Sequence, residues 1–403
     1  FLAITLANYG KAFERWLERG FVDPSDATEF RFGSRRTGLP PFLGGFLGLV
    51  FDVTSGVLLE KPSIEAVYAI RQLTLMYGKI ALPEAPSQGA SILKGGRKVV
   101  REDRERLAMD EYLKCEQDVR DSFSRLLPHD WDDFRRVKEL LFHDFFLGVD
   151  LAVDFGSIVP KHGPGATADR LTGNGKWVQQ TWPARLQRYF PMEDFLAVNS
   201  KPERVLALRR RVTVLEPGSE IPVRVTSVPK TLKKPRIIAI EPTAMMYAQQ
   251  SLFRLMRDFL NEDSNLKEMI GIKDQEPNRL MARVGSRSGD LATLDLSEAS
   301  DRVSKWHVTE LLEGHPKLHG AVLSCRSAKA TVPGHATIPL AKFASMGSAL
   351  CFPMEAMVFL TVIFLGIEKE LRTPLTPEVI RDFRGEVRVF GDDIIVPKDF
   401  VLS

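Results

Sequence analysis

Apolar positions along the chain fall into stretches of helical spacing and stretches of alternation, and the two kinds are unevenly distributed. From Ser63 to Leu75, Ile64, Val67, Ile70 and Leu73 recur at threes, which predicts a helix. Asp103 to Leu127 is charged with scattered apolar positions and predicts another, and Leu140 to Val149 is short, strongly apolar and predicted to be buried. Residues 212–228 alternate through Val212, Val214, Ile221, Val223 and Val225, predicting a β-ribbon around the turn Pro217-Gly218. Met245 to Leu260 returns to helical spacing. Further on, Leu291 to Leu296 reads as a half-buried strand, followed by a helix from about Arg302 to Glu313. Ser345-Met-Gly347 breaks the chain before a long apolar helix from about Leu350 to Leu365. Thr376 and Pro377 are a cap and a first helical residue, and Gly385 lies beyond the end of that short helix. Val387 to Phe390, Gly391-Asp392-Asp393 and Ile394 to Val396 then predict strand, tight turn, strand. This order predicts an α+β fold, with helices packed behind a small antiparallel sheet.

Composition changes the picture little. The chain has 403 residues, 44% of them hydrophobic and 27% charged, an ordinary globular balance that allows two or three lobes. The apolar run Ala356 to Ile367 is shorter than the roughly 20 residues a bilayer crossing needs. Cys115, Cys325 and Cys351 are an odd trio with no Cys-x-x-Cys spacing, which argues against both a disulfide framework and a zinc ribbon. The opening Phe1 has no basic segment of a secretory signal, and the lack of Met suggests a piece of something longer. Net charge is only +3. Between Lys201 and Arg236, however, ten basic residues face three acidic ones, a local excess of +7. Such a stripe is either a solvated face or a track for phosphates. His315 and His319, with Pro316 between them, read as surface histidines.

Three places carry candidate chemistry. In Gly391-Asp392-Asp393 the glycine suits a hairpin tip from which the aspartates project. Asp295 interrupts an otherwise apolar strand, a costly place for a carboxylate unless a cation or donor compensates. Carboxylates on adjacent strands can hold two Mg²⁺ ions about 3.5–4 Å apart, clamping the attacking and leaving oxygens of a phosphoryl displacement. Hard oxygen ligands suit Mg²⁺ or Mn²⁺ rather than zinc. The third place, Val228-Pro-Lys230-Thr-Leu-Lys233-Lys234-Pro-Arg236, sets cations ahead of an apolar strand. That arrangement suits a triphosphate or a nucleic-acid backbone, and equally a charged edge strand.

In this order the residues resemble the viral RNA-dependent RNA polymerases, and phrase by phrase the replicase catalytic subunit of the leviviruses, positive-strand RNA bacteriophages. The matching phrases are His162-Gly-Pro-Gly-Ala166, Val228-Pro-Lys230, Ile238-Ala-Ile-Glu-Pro242, Asp295-Leu-Ser-Glu-Ala-Ser-Asp301, Phe343-Ala-Ser-Met-Gly347 and Phe390-Gly-Asp-Asp393. The first 160 residues resemble the family more loosely, through Pro41-Phe-Leu-Gly44 and Ile70-Arg-Gln72. The resemblance implies a polymerase right hand: an N-terminal helical region (1–160), basic fingers (161–285) and a palm (286–403). It implies template-directed transfer of ribonucleotides to an RNA 3′-end with two Mg²⁺ ions, Mn²⁺ being possible.

Carried over position by position, Asp295 and Asp392 would be metal ligands with Asp393 as auxiliary. Asp301, helped by Ser345, would read the ribose 2′-hydroxyl. Lys230 and Arg236 would steer the triphosphate, and Gly347 would keep its loop flexible. Arg209, Arg210, Arg211, Lys233 and Lys234 are the candidates for the RNA backbone. Ser348 stands where many relatives have Asn, which bears on sugar discrimination. The implied partners are template and nascent RNA, ribonucleoside triphosphates and host elongation factors Tu and Ts. The implied place is the cytoplasm of an infected bacterium, without a membrane. Only ten residues follow Asp393, so the thumb is expected to be absent and the last strand to lack cover, leaving residues 387–403 prone to aggregate. Two other readings are a reverse transcriptase, disfavoured by a carboxylate at position 301, and a non-catalytic RNA-binding remnant.

Overall fold

A computed structural model describes residues 2–30, 38–79, 96–197, 201–228 and 235–401. The chain forms two compact units, Phe1–Ala108 with Ser227–Arg236, and Met109–Thr226 with Ile237–Ser403. In the first, α1 (Leu2–Arg19) packs on α3 (Ile64–Lys79), with the single turn α2 (Gly44–Leu47) beside them. Tyr9, Phe13, Trp16, Leu47, Phe51 and Ile70 fill its core. The Tyr9 hydroxyl donates to the Phe42 carbonyl at 2.8 Å, so this buried ring brings no unmet polar group inside. The helix predicted from Ser63 is α3, and the charged stretch forms α4 (Gly96–Phe123).

The second unit is built on α5 (Asp132–Asp154), which contains the apolar run 140–149. After it come α6 (Met192–Leu196), the arginine-ended α7 (Pro202–Arg211), α8 (Thr243–Glu262), α9 (Leu266–Met269) and α10 (Glu276–Ser288). Two short helices, α11 (Ala299–Arg302) and α12 (Lys305–Leu311), stand where one was predicted, because Val303 leaves helical geometry and Ser304 caps a new start. α13 (Pro316–Cys325), α14 (Cys351–Leu371) and α15 (Pro377–Asp382) complete the set, the last capped by the Thr376 side chain. α8, α13 and α14 all pack against α5. By length and composition α14 is apolar enough to cross a membrane, but Met354, Met357, Leu360 and Phe364 are buried in this core. Each such side chain contributes roughly 1.5–3 kcal/mol.

Three sheets accompany the helices. β1 (Thr181–Pro183) pairs in parallel with β2 (Thr213–Leu215). β3 (Val223–Val228), β4 (Arg236–Ile240), β6 (Lys329–Thr331) and β7 (Ile338–Pro339) form a sheet of order β4-β3-β6-β7, with β4 at an edge. β5 (Leu291–Asp295), β9 (Asp393–Pro397) and β8 (Arg388–Phe390) form an antiparallel sheet with β9 in the middle. This last sheet, with α10 and α14 packed on it, is the predicted α+β arrangement.

Three expectations fail. Residues 212–228 are not a ribbon, because β2 finds its partner in β1 and β3 joins another sheet, so the Pro217-Gly218 turn links two sheets. His315 is buried and His319 half-buried. His315 immediately precedes α13 and His319 lies on it; α13 packs on α5, and the His315 ring sits 5.4 Å from that of Phe146. The last strand is not bare either. Val387, Val389, Ile394, Ile395 and Val396 are all buried. α10 lies on β5, β8 and β9, α14 packs on β8 and on the turn Lys398–Phe400, and Phe400 meets the Phe383 ring at 5.5 Å.

Candidate active site

The antiparallel sheet brings three predicted carboxylates to one end. Asp295, the last residue of β5, stands directly opposite Asp393, the first of β9. Asp392 lies in the two-residue turn between β8 and β9, since Phe390 pairs with Asp393. Gly391 opens that turn at φ +62°, and a Cβ there would come within 2.6 Å of the Phe352 ring on α14. Only glycine satisfies both the left-handed backbone and the close helix. Asp295 and Asp392 are exposed, so the cost anticipated for a carboxylate inside an apolar strand does not arise. Neither has an ion-pair partner among the described residues. Asp393 is half-buried and its Oδ2 accepts from Gln275 Nε2 at 2.6 Å, just before α10.

Like charges placed directly across a strand pair repel. Asp295 and Asp392, exposed and without an ion-pair partner among the described residues, offer the hard oxygens a Mg²⁺-type ion takes. Among the described residues, no three His, Cys, Asp or Glu side chains are drawn into a ready ligand cage. The donor chemistry nevertheless fits Mg²⁺, which is commonly held by one or two carboxylates together with water and substrate phosphates. Glu355, buried on α14, feels the cluster: burial first, then Asp392 and Asp301, push its carboxyl up to about 8.

Asp301 and Ser345 are also brought together, as predicted. Residues 303–305 run alongside 341–343, with Lys305 N donating to Ala341 O at 2.8 Å and Phe343 N to Val303 O at 2.7 Å. This places Lys342, 0% exposed, against Asp301. Asp301 Oδ1 accepts from Lys342 Nζ and from Ser345 Oγ, each at 3.0 Å. The Lys342 ammonium lies 3.4 Å from the centre of the Tyr112 ring, and the Tyr112 hydroxyl is 3.2 Å from Ser345 Oγ. Burial disfavours the lysine's charge, yet Asp301, ahead of Tyr112 and Glu116, holds its pKa above the ordinary value. Burial raises the Tyr112 phenol. Glu116 fixes the strand itself, accepting from the backbone N–H groups of Ala341 and Lys342.

Sequence reasoning missed Lys342, Tyr112, Glu116, Gln275 and Glu355. The available signal for Lys342 was a single lysine set among Leu340, Ala341, Phe343 and Ala344.

Gly347 sits in the loop ahead of α14 at φ +128°, where a Cβ would lie 2.0 Å from the Ala239 carbonyl oxygen. Ala239 N also donates to Met346 O at 2.8 Å. The glycine therefore serves close packing against β4. Ser348 Oγ donates to Gln249 Oε1 at 3.0 Å, and the Ala349 N–H reaches the same oxygen at 3.1 Å, which ties the loop to α8. Gln249 Nε2 donates to the Cys325 carbonyl at 2.8 Å. Nearby, the buried Glu241 carboxyl is pushed up to about 7 by desolvation, against the lowering influence of Ser327, Gln249, Arg326 and Arg185. The His162-Gly-Pro-Gly loop is held by buried Lys176, which donates to the Gly163 and Gly165 carbonyls. His162 stacks on Tyr247 at 4.1 Å, and burial, then Lys176, lowers it to about 4.

The basic candidates are not all placed. Lys230, Lys233 and Lys234 lie outside the described residues. Arg236 opens β4, half-buried, in the stretch that clusters with the first unit. Arg209, Arg210 and Arg211 are exposed in the last turn of α7, where cations also suit the helix dipole, and Arg209 pairs with Glu193 at 3.0 Å.

In comparison with known proteins, residues 215–403, which contain the whole carboxylate site, match the family described as RNA replicase, beta-chain. The leviviral resemblance is borne out over this part of the chain. The RNA-directed RNA polymerase subunit beta of Qbeta virus (strain MX1) is 34% identical over 176 residues, 44% of this chain and 27% of the relative. That of Escherichia virus Qbeta is 32% identical over 199 residues, 48% and 30%. The RNA-directed RNA polymerase beta chain of Escherichia phage MS2 is 31% identical over 175 residues, 43% and 29%. The matched stretch thus spans less than a third of each of these relatives.

Proposed function

We propose that this chain carries the nucleotide-adding centre of an RNA-directed RNA polymerase that replicates a single-stranded RNA phage genome. The observation that carries this reading is the register of the sheet. Asp295 faces Asp393 across β5 and β9 with Asp392 in the adjoining turn, inside the stretch that matches the replicase family. The reaction joins the 3′-hydroxyl oxygen of the growing strand to the α-phosphorus of a ribonucleoside triphosphate. The bond from that phosphorus to the bridging oxygen breaks, and pyrophosphate leaves. When bound, two Mg²⁺ ions would stabilise the attacking and leaving oxygens.

Asp295 and Asp392 would hold those ions, with Asp393, steadied by Gln275, as the auxiliary ligand. Asp301 and Ser345 would meet the ribose. Lys230 and Arg236 would neutralise the triphosphate, and Arg209, Arg210, Arg211, Lys233 and Lys234 would follow the RNA backbone. Positioning and charge carry such a transfer, and little covalent chemistry is asked of the protein. A right-hand fold, a bacterial cytoplasmic setting and recruitment of elongation factors Tu and Ts rest on the resemblance alone.

RNA-templated incorporation tests the reading. The full chain, given a primed RNA template, ribonucleotides and Mg²⁺, is expected to add the nucleotide complementary to each template base. Binding of RNA without any templated addition would favour a non-catalytic remnant.

A further inference from the structure

The contacts around Asp301 have a direction. A carboxylate only accepts, so the single Ser345 hydroxyl proton is committed to Asp301 Oδ1 at 3.0 Å. The Tyr112 hydroxyl, 3.2 Å from Ser345 Oγ, must then be the donor of that pair. Lys342 Nζ supplies the second donor to Oδ1 and is locked over the Tyr112 ring. Asp301 keeps its side chain 20% exposed, and its Oδ2 has no partner among the described residues. The acceptor left open is therefore Asp301 Oδ2, while Ser345 and Lys342 are buried and their donors are turned to Oδ1.

We propose that Lys342 and Tyr112 are positioning residues that make this site selective for a sugar hydroxyl that donates, so that they set the preference for ribonucleotides. The proposal rests on the polymerase reading and adds two residues that touch no substrate. Lys342 fixes the carboxylate with Oδ2 outward. Tyr112 keeps the Ser345 proton pointing at Asp301, so that Ser345 cannot turn to donate to the sugar. A 2′-fluoro nucleotide separates this from a simple size filter. Fluorine is close in size to a hydroxyl but offers no proton, so the wild-type site should reject it much as it rejects a 2′-deoxy sugar.

The test is the ratio of kcat/KM for a ribonucleotide over its 2′-fluoro analogue, measured in the full chain. Tyr112→Phe keeps the ring beneath the ammonium and removes only the hydroxyl. It is expected to lower the ratio by about two- to tenfold, the usual weight of one hydrogen bond, while kcat for the ribonucleotide changes less. Lys342→Met is expected to lower the ratio further and to lower the melting temperature, because it strands Asp301 beside an apolar side chain. Should Lys342→Met not fold, Tyr112→Phe decides alone. An active wild type whose ratio is unmoved by Tyr112→Phe overturns this proposal and leaves the polymerase reading standing. A wild type that adds no ribonucleotide overturns both.

Discussion

Asp295 and Asp392 on one side, and Asp301 on the other, are carboxylates of one unit treated in opposite ways. The first two stand exposed at the end of a sheet, close to a third aspartate and without a cation among the described residues. Asp301 is held at Oδ1 by a buried lysine and a serine, themselves tied to a tyrosine. Exposed like charges are tolerable because water and salt screen them, and they stay free for a cation from outside. Asp301, if it reads the sugar as proposed, needs fixed geometry, which the buried partners supply. The contrast separates a site to be completed by its ligands from one completed by the protein.

The most severe break in this contrast is on the open side. Asp392→Asn should reduce nucleotide addition by at least about a hundredfold, since charge stabilisation by a metal is worth several kcal/mol. Its circular dichroism should match the wild type, because an exposed turn carboxylate holds nothing together. Near-normal addition by the folded variant would remove Asp392 from the site.

On the held side, Gly347→Ala should damage stability before chemistry. A non-glycine residue at this backbone angle costs roughly 1–3 kcal/mol, and the Cβ would overlap the Ala239 oxygen as well. Urea unfolding should show a clearly lower midpoint. An unchanged midpoint would mean that the loop relaxes freely and that flexibility, the role first assigned to this glycine, describes it better.

Glu241 gives the held side a pH signature. Its carboxyl is raised from 4.5 to about 7, so the folded chain binds this proton more tightly than the unfolded one. Stability from this group is present below about pH 4.5 and is lost as pH rises through about 7. Glu241→Gln stays neutral. Relative to the wild type it should gain stability across that window, by a maximum on the order of 3 kcal/mol, and the difference should level off above it. A difference independent of pH would show that Glu241 is ionised in the fold.

The smallest effect is expected at the surface. Replacing Arg209, Arg210 and Arg211 with Gln should leave stability almost unchanged, as exposed pairs such as Arg209–Glu193 contribute about 0–1 kcal/mol. It should flatten the salt dependence of RNA binding by about 0.7 in log–log slope for each lost phosphate contact. An unaltered slope would leave these arginines as helix-end charges only.

How far the sequence was legible follows the same division. β5, the Gly391 turn, β9, α14 and the Thr376 cap were readable because each rests on neighbours within a few residues. The β1–β2 pairing was not, since alternation in 212–228 carries no mark of which strand lies beside it. Asp295, Asp392 and Asp393 could be picked out because aspartates beside apolar strands are conspicuous. Lys342 and Tyr112 could not. A lysine is ordinarily at the surface, and only the fold shows that segment 341–343 runs beside 303–305 and buries this one. Cover for Val387 to Val396 was likewise invisible, because it comes from α10 and α14, whose packing is not written in the strand.

Cation binding tests the central claim most directly. Mn²⁺ uptake by the full chain, followed by electron paramagnetic resonance in the presence of a ribonucleoside triphosphate, should reveal two bound ions. Asp295→Asn combined with Asp392→Asn should abolish that binding while the fold persists. Equal Mn²⁺ binding by the double variant would contradict the assignment of these carboxylates as the metal seat.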